Sequence, residues 1–297
     1  MRKIVCIILI CLLLAGCGGQ AKAEKTVFAM DTVMQLSVWG KDREQALEEL
    51  ENLLLTMEKT YNAQSLNSGQ LTCEQQALIQ RAQEFCLATD GAFDPRMYGI
   101  MQAWGFDTGD YTVPTDEELA HAPALYDLGA AVKGYAGDEA VELLKSMDVQ
   151  CAMLNLGGNV QTYGTKPDGS PWTVGIRDPE GVKDYLGIVS VEGTAAVVTS
   201  GDYQRYFEKG GVRYHHIMDP KTGRPADSGV RSVTVICGDG LTADIMSTTL
   251  FVMGMEKGSR YWKKQGGFEA VFVLTDGSIF ATEGVDLSGC EYEVIKR

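Results

Sequence analysis

The sequence has no run of basic residues. Its 26 Lys and Arg are outnumbered by 40 Asp and Glu, so the 297-residue chain carries a formal net charge of -14 at pH 7. A chain this acidic gains nothing from the phosphate backbone of a nucleic acid, and we therefore expect no nucleic-acid partner. Its 45% hydrophobic and 22% charged content is ordinary for a globular protein, and its length suits one large domain or two small ones.

The usual cysteine and glycine motifs are also absent. None of the 8 cysteines shows CxxC spacing, and those after the N-terminal region are an odd, widely spread set: Cys73, Cys86, Cys151, Cys237 and Cys290. Such a set is no disulfide framework, although the sequence permits one bridge, and we interpret these cysteines mostly as small buried apolar residues. Gly157 and Gly158 do not complete a GxGxxG pattern, so nothing supports a Rossmann dinucleotide site.

The N-terminus carries a targeting signal. An apolar run over residues 4–14 follows two basic residues and is too short to cross a bilayer comfortably, which is typical of a signal peptide. The residues LAGC at 14–17 look like a bacterial lipobox, which would make Cys17 the lipid-anchored first residue of the mature protein. The alternative is an ordinary signal peptide whose cysteine is incidental. The predicted division of the chain is a signal peptide over 1–16, a lipidated cysteine and polar tether over 17–26, and one domain over 27–297.

Hydrophobic patterning predicts the fold class. An apolar stripe indicates an amphipathic helix over 42–61, and the stripe consists of Leu47, Leu50, Leu54, Met57 and Tyr61. Elsewhere the patterns predict a strand over 28–40, helices over 74–90 and 129–147, short strands between 151 and 237, helices over 241–254 and near 256–265, and two or three closing strands. Helices and strands mix without regular βαβ alternation. We therefore expect a single α+β domain with packed helices and a mixed, mostly antiparallel sheet.

One stretch combines burial with polarity. In LTADIMSTTLFVMG (241–254), Asp244, Ser247 and Thr248 have the spacing i, i+3, i+4 and share one face of an otherwise apolar helix. The first interpretation is capping, in which these side chains bond to nearby backbone groups. The second is a site for a hard cation, because Mg²⁺ prefers oxygen ligands and often takes only one or two carboxylates from a protein.

Four other clusters place polar residues in Gly-rich or apolar settings. They are AMDT (29–32), GAFDP (91–95), YDLGAAVKGYAGD (126–138) and YHHIMDPKTGRP (214–225). The last one holds His215 and His216, two of the three histidines. Each cluster alone has a structural explanation as a helix stop, a tight helix packing or a turn.

Taken together and in this order, the clusters resemble the ApbE family, the FAD:protein FMN transferases, over about residues 27–283. NLGGN and VVTSGDYQRYF add to the resemblance. It implies a T-fold-like domain that uses Mg²⁺ to cleave the FAD pyrophosphate. The FMN phosphoryl group would pass to a Thr or Ser hydroxyl of a target flavoprotein outside the cytoplasm, such as a subunit of a membrane redox complex, and AMP would leave.

The resemblance also implies roles for particular residues. Metal ligation would come from the Ala130 carbonyl, from Asp244, and from Ser247 or Thr248. His216 would be the base that acts on the target hydroxyl. Contacts to FAD would come from Met30, Tyr61, Ala92, Phe93, Asp94, Asp127, Lys133 and Met218.

These roles are consistent with the chemistry. Pyrophosphate cleavage accumulates negative charge on oxygens, which a metal ion and Lys133 would offset. An imidazole titrates near neutrality and can accept the proton of an alcohol. The stretch 107–126 is shorter than the corresponding segment of the family. Two alternatives remain: an FAD pyrophosphatase that keeps the site and uses water as the acceptor, and a non-catalytic flavin-binding lipoprotein, for which the shortened segment is the main argument.

The lipid anchor gives the first testable prediction. Cys17→Ser removes the thiol that would carry the lipid, so we expect the variant to be released from the membrane fraction or mislocalised. The purified domain should keep its activity. Membrane fractionation with mass spectrometry of the mature N-terminus makes the measurement. A Cys17→Ser protein that stays tightly membrane-bound without modification would contradict the anchor.

Overall fold

The structure is a computed structural model that describes residues 21–297. The predicted signal peptide and Cys17 lie outside the described residues. Across residues 21–297, no helix combines the length and apolar character needed to cross a bilayer.

The described elements alternate irregularly between helix and strand. The helices are α1 (Arg43–Tyr61), α2 (Ala63–Asn67), α3 (Cys73–Ala88), α4 (Tyr98–Trp104), α5 (Asp116–Ala120), α6 (Val132–Lys145) and α7 (Gly240–Gln265). The strands are β1 (Lys22–Ala29), β2 (Thr32–Gly40), β3 (Val149–Leu156), β4 (Asn159–Tyr163), β5 (Trp172–Arg177), β6 (Tyr185–Val191), β7 (Ala195–Gly201), β8 (Tyr206–Lys209), β9 (Val212–His215), β10 (Met218–Asp219), β11 (Arg224–Pro225), β12 (Val230–Cys237), β13 (Glu269–Leu274), β14 (Ile279–Thr282), β15 (Asp286–Ser288) and β16 (Glu293–Ile295).

A nine-stranded sheet organises the domain. Its order is β1-β2-β3-β4-β7-β12-β13-β14-β16, and β14–β16 is its parallel pair, whereas the other neighbours are antiparallel. The predicted α+β domain with a mixed, mostly antiparallel sheet and packed helices is therefore confirmed.

The two faces of the sheet pack differently. Along β2, Met34, Leu36 and Val38 are buried toward α1 and α6, as the two-residue period of a strand requires. On the opposite face a three-stranded sheet, β15-β6-β5, covers part of the large sheet with a core that includes Trp172 and Val197. The cleft described below is lined partly by β5 of this smaller sheet and partly by strands of the large sheet.

The long helices follow the predicted patterns. The stripe of α1 is buried as expected. A capping box between Thr72 and Gln75 begins α3. The two helices predicted over 241–265 form one kinked helix, α7, which breaks at Gly254, where φ is 74°.

The N-terminal prediction is wrong in two respects. Residues 28–40 are not one strand, because a turn at Met30 and Asp31 divides a β1–β2 hairpin. Residues 22–26 do not belong to a tether either, because β1 begins at Lys22 and pairs with β2 along its whole length. The register explains this, since Ala23 and Val27 alternate with exposed polar residues and are buried on the helical face.

Three further differences concern short elements and thiols. The helices α2, α4 and α5 were not predicted, and four short strands rather than two or three close the chain. All five described cysteines are free, as expected without a disulfide framework, but only Cys151 is fully buried and Cys73 is exposed. The interpretation as mostly buried apolar residues is therefore wrong for most of this set.

Candidate active site

A cleft of about 1460 Å³ opens at the ends of the central strands. It brings together, from residues far apart in sequence, every predicted site residue in the described chain except Ser247. The cleft is lined by residues of α1, α6 and α7, by the turns that follow β1, β3 and β7, by β5, and by residues between α3 and α4. A cavity of this size exceeds the range of about 300–1,000 Å³ that is usual for single small-molecule sites.

Two carboxylates fasten α6 to α7 at the base of the cleft. Asp244 on α7 accepts a hydrogen bond of 2.8 Å from the Gly134 N–H in the first turn of α6. Asp138 on α6 accepts bonds of 2.6 and 2.9 Å from Gly240 and Leu241 in the first turn of α7. Each helix therefore caps the N-terminus of the other, where free N–H groups and a positive partial charge favour a carboxylate.

This crossing requires glycine on both helices. A Cβ at Gly134 would collide with the Gly240 carbonyl and lie 2.6 Å from Asp244 Cβ. A Cβ at Gly240 would lie 2.5 Å from the Gly134 carbonyl. The predicted tight packing of the Gly/Ala-rich helix is thus present. The capping interpretation of Asp244 is correct in part, since the residue caps the neighbouring helix rather than its own.

The same bond frees a carbonyl beside the cleft. In a continuous helix the Gly134 N–H would bond to the Ala130 carbonyl, four residues earlier. Here Asp244 takes that N–H, and the Ala130 carbonyl is left to accept from elsewhere. The donor set therefore fits Mg²⁺, because it combines one carboxylate with neutral oxygens. Residues 21–297 contain no cluster of three His, Cys, Asp or Glu side chains that could hold a metal.

The structure distinguishes the two hydroxyls on α7. Ser247 is fully buried and does not line the cleft. Its Oγ donates a hydrogen bond of 2.9 Å to the Asp244 carbonyl and lies 2.7 Å from Ser200 Oγ. Thr248 lines the cleft, and its Oγ1 lies 3.1 Å from Ser200 Oγ. Thr248 is therefore the better placed candidate ligand. Ser200, at the end of β7, was missed because its relation to α7 depends on tertiary packing.

His216 lines the cleft with a defined tautomer. Its Nδ1 lies 3.2 Å from the Arg205 carbonyl, and a carbonyl can only accept, so Nδ1 carries the proton and Nε2 keeps its lone pair. Burial lowers the pKa of His216 to about 3, and the positive charges of Arg205 and Lys133 contribute. The ring is therefore neutral at physiological pH.

Arg205 supports this histidine from two directions. Its carbonyl accepts a hydrogen bond of 3.1 Å from the His216 backbone N–H and a second one from Nδ1 of the ring. Its guanidinium donates a hydrogen bond of 2.5 Å to the Phe106 carbonyl, and the Phe106 ring packs edge to face against the His216 ring. The prediction did not include Arg205, although the residue lies in the quoted stretch VVTSGDYQRYF.

His215 is structural. Its Nε2 donates to the Ala226 carbonyl at 3.2 Å, and its Nδ1 accepts from the Ile217 N–H at 3.3 Å. With both nitrogens engaged and only 8% of the residue exposed, His215 has no free group for chemistry. Of the two neighbouring histidines, the structure thus leaves His216 as the candidate base.

The β1–β2 turn forms a strained part of the cleft wall. Met30 and Asp31 both have positive φ, 52° and 57°, a conformation that costs side-chain-bearing residues about 1–2 kcal/mol each. Glu58 on α1 stabilises the turn, since its carboxylate accepts a hydrogen bond of 2.8 Å from the Met30 N–H. Strain of this kind is often found at ligand sites. Sequence reasoning missed Glu58.

The other predicted flavin contacts also line the cleft. Tyr61 packs edge to face on Tyr135, with 5.8 Å between ring centroids. Asp94 forms a two-point ion pair with Arg96, with N···O distances of 2.9 and 3.0 Å. Burial raises the pKa of Asp127, whose carboxylate accepts a hydrogen bond of 2.8 Å from the Gly129 N–H. The remaining members of this set are Ala92, Phe93, Lys133 and Met218.

The short segment 107–126 is packed against the cleft. It contains α5 and the Tyr111 ring, which stacks on Phe207 of the β8–β9 hairpin at 4.9 Å. Next to this segment, the Trp104 indole N–H donates a hydrogen bond of 2.8 Å to the Gly223 carbonyl. The segment therefore joins an aromatic cluster that includes Phe106, the ring beside His216.

Comparison with known proteins agrees with this geometry. A sequence model described as the ApbE family matches residues 30–272. The chain belongs to the ApbE family. A relative from Treponema pallidum, named FAD:protein FMN transferase, is 31% identical over 94% of this chain and 93% of its own. Family membership is thus confirmed, and so is the prediction of an enzyme, a transferase.

Solved structures of ApbE proteins share the fold. The crystal structure of an ApbE protein from Thermotoga maritima matches with a TM-score of 0.81 and 30% identity, over 89% of this chain and 97% of that one. The flavin transferase ApbE from Vibrio cholerae matches with a TM-score of 0.76 and 27% identity, over 89% and 98% of the two chains.

The low pKa of His216 predicts a dependence of stability on pH. The unfolded chain binds a proton near pH 6.5, whereas folded His216 does not until about pH 3, so this residue makes unfolding easier as pH falls through that window. We expect His216→Asn to lose less stability than the parent between about pH 7 and pH 5, by up to about 1.4 kcal/mol per pH unit.

Urea denaturation of both proteins across this range makes the measurement. His215 also has a pKa lowered by burial, but it is present in both proteins and cancels from the difference. Parallel stability curves would contradict the assignment of a neutral His216.

Proposed function

We propose that this protein transfers the FMN phosphoryl moiety of FAD to a Thr or Ser hydroxyl of a target flavoprotein, with Mg²⁺ bound and AMP released. One observation carries the proposal. A single cleft holds a neutral imidazole with a free Nε2 and, separately, a carbonyl, a carboxylate and a hydroxyl that suit a hard cation. The names of the family relatives support the flavin substrate.

The chain itself supplies positive groups for an anionic substrate. Lys133 and Arg205 line the cleft, and the first turn of α6 points its N-terminal end there. Ala130, Asp244 and Thr248 would hold Mg²⁺. When bound, the ion would offset the negative charge that builds on the pyrophosphate oxygens.

His216 would act on the acceptor. Nε2 takes the proton of the target hydroxyl, whose oxygen forms a bond to the FMN phosphorus, while the bond from that phosphorus to the bridging oxygen breaks. AMP leaves with the bonding electron pair. The fixed Nδ1–H bond to the Arg205 carbonyl keeps Nε2 free for this role. A diphosphate bound near Lys133 and Arg205 would offset their charges and raise the pKa of His216 toward neutrality, where it is a better base.

We further propose that the reaction takes place on the extracytoplasmic face of a bacterial membrane, with the domain anchored through Cys17. The N-terminal sequence supports this location. Because β1 begins at Lys22, the connection between the anchor and the folded domain would be short.

The decisive assay follows the flavin. We expect the mature domain, incubated with FAD, Mg²⁺ and an acceptor flavoprotein, to yield protein-linked FMN and AMP. His216→Asn should slow this transfer by about 10²–10⁴-fold, because a positioned base is lost, while changing FAD affinity much less. Mass spectrometry of the acceptor and chromatography of the nucleotides make the measurement.

The same assay separates the alternatives. Free FMN and AMP in the presence of the acceptor would identify a pyrophosphatase that uses water, and intact FAD would identify a binding protein. Equal transfer by His216→Asn and the parent would remove His216 from the mechanism. His215→Asn is a poor control because it breaks two structural bonds, so the matched control is His121→Asn, on an exposed residue outside the cleft.

The cation site gives a separate prediction. Asp244→Asn keeps one acceptor oxygen for the Gly134 N–H, so the variant should fold, but it removes the charge that would hold Mg²⁺. We expect FAD cleavage to need much more Mg²⁺, with partial recovery at high concentration. Thr248→Val should shift the Mg²⁺ dependence in the same direction by less.

Ser247→Ala is the matched control for Thr248→Val. It removes a neighbouring hydroxyl that does not line the cleft, so it should lower thermal stability and leave the Mg²⁺ dependence in place. Cleavage rates measured against Mg²⁺ concentration test all three variants. Superimposable curves for Asp244→Asn and the parent would reduce Asp244 to a helix cap.

A further inference from the structure

The smaller sheet has an unpaired strand edge inside the cleft. Its order is β15-β6-β5, so β5 (Trp172–Arg177) pairs with β6 on one side only. Five consecutive residues of β5, 173–177, line the cleft. Because the side chains of a strand alternate between its two faces, a consecutive run of lining residues indicates that the cleft follows the edge of β5 and not one of its faces.

The backbone along this edge has no partner in the described chain. Within residues 21–297, no group outside β6 forms a hydrogen bond with a backbone N–H or C=O of residues 172–177. In an edge strand, every second residue directs its N–H and C=O away from the sheet. These outward groups can pair with another extended chain, and in β5 they do so within reach of the cleft.

β5 also lacks most of the features that protect an edge strand from pairing, which include charged side chains, prolines and bulges. β1, at the edge of the large sheet, begins with Lys22, Glu24 and Lys25. β5 has neither a charge nor a proline before its last residue, Arg177, and its register irregularity lies at that same end. An unprotected edge inside a binding cleft indicates a ligand that is itself an extended chain.

The chemistry around β5 suits a polypeptide better than a diphosphate. The carboxylates that line the cleft all lie on helices or connecting segments, and Arg177 is the one charged strand residue among the described lining residues. Met34 and Leu36 face the helices, so Val33 and Gln35 line the cleft from the opposite face of β2. No predicted flavin contact lies on β5 or on the large sheet. This side of the cleft is therefore mostly neutral and has no assigned ligand.

The last residue of β5 lies next to the segment that orients the candidate base. The Arg177 guanidinium lies over the Tyr203 ring, 5.8 Å from its centroid. Tyr203 precedes Arg205 by two residues, and the Arg205 carbonyl orients His216. All four residues line the cleft. An extended chain that passes this end of β5 therefore continues toward His216, and it advances about 3.3 Å per residue.

We propose that the free edge of β5 binds an extended segment of the acceptor protein as an added strand, an inference that rests on the function proposed above. The acceptor backbone pairs with the outward N–H and C=O groups of β5, and a Thr or Ser beyond Arg177 reaches His216 Nε2. Recognition of this kind depends on the backbone, so many extended sequences can bind. FAD occupies the helical side of the same cleft, and the two substrates meet at His216.

Backbone methylation of a peptide acceptor tests the pairing without altering the protein. The probe is a pool of random decapeptides with one central threonine, incubated with the parent protein, FAD and Mg²⁺, and mass spectrometry identifies the modified sequences. One of these is resynthesised with an N-methyl group at each residue in turn. We expect kcat/KM to fall by about 3–10-fold at every second residue, where the N–H faces β5, and to change little between them. A flat profile would overturn the proposal, as would FAD cleavage without any modified decapeptide.

Paired proline substitutions test whether β5 is the edge involved. Of two adjacent strand residues, one directs its N–H to the sheet and the other to the free edge, so Thr173→Pro and Val174→Pro form a matched pair. The member with the higher melting temperature has lost the outward N–H, and it should transfer FMN to the decapeptide about 10-fold more slowly than the parent. Glu24→Pro and Lys25→Pro form the control pair on β1, an edge outside the cleft. Equal transfer by the more stable member of each pair would overturn the assignment to β5.

A short acceptor separates this inference from the proposed function. N-acetylthreonine N′-methylamide carries the hydroxyl but is too short to pair along β5. Transfer of FMN to this compound and to the decapeptide with equal kcat/KM would leave the proposed function standing and refute the role of the edge. Intact FAD with every acceptor would refute the proposed function and this inference together.

Discussion

The cleft depends on the hydrogen bond from the Gly134 N–H to the Asp244 carboxylate. This bond fixes the start of α6 against α7, and the reciprocal bonds from Asp138 fix the start of α7 against α6. It also diverts the N–H that would otherwise occupy the Ala130 carbonyl. One contact thus packs two helices, satisfies a buried charge and exposes an oxygen to the cleft. The geometry of the site therefore depends on the packing of α6 against α7.

The positive charges around the cleft favour a neutral His216. Burial, Arg205 and Lys133 all oppose protonation of His216. An anionic ligand reverses the contribution of the two cations, so proton affinity at His216 would rise as the substrate arrives. Substrate binding and the base strength of His216 would then be coupled through charge. The backbone carbonyl of Arg205 orients the ring.

Local sequence patterns were sufficient to predict the elements that depend on local periodicity, such as the apolar stripe of α1 and the polar patch on α7. Spacing could not decide which hydroxyl faces the cleft, because Ser200, 47 residues away from Ser247, engages both. The β1–β2 turn was missed because Met30, its first central residue, is not one that such turns favour, and its strain is held by Glu58, 28 residues away. Arg205 could not be assigned either, since its contacts with Phe106 and His216 are tertiary.

The Gly134–Gly240 crossing also limits how this protein can diversify. Any side chain at either position would push the two helices apart, and with them the groups that line the base of the cleft. Selection for a new acceptor would therefore have to act on the loops around the cleft rather than on this crossing. Substitutions would then accumulate in the surrounding loops, while the two glycines of the crossing would stay fixed.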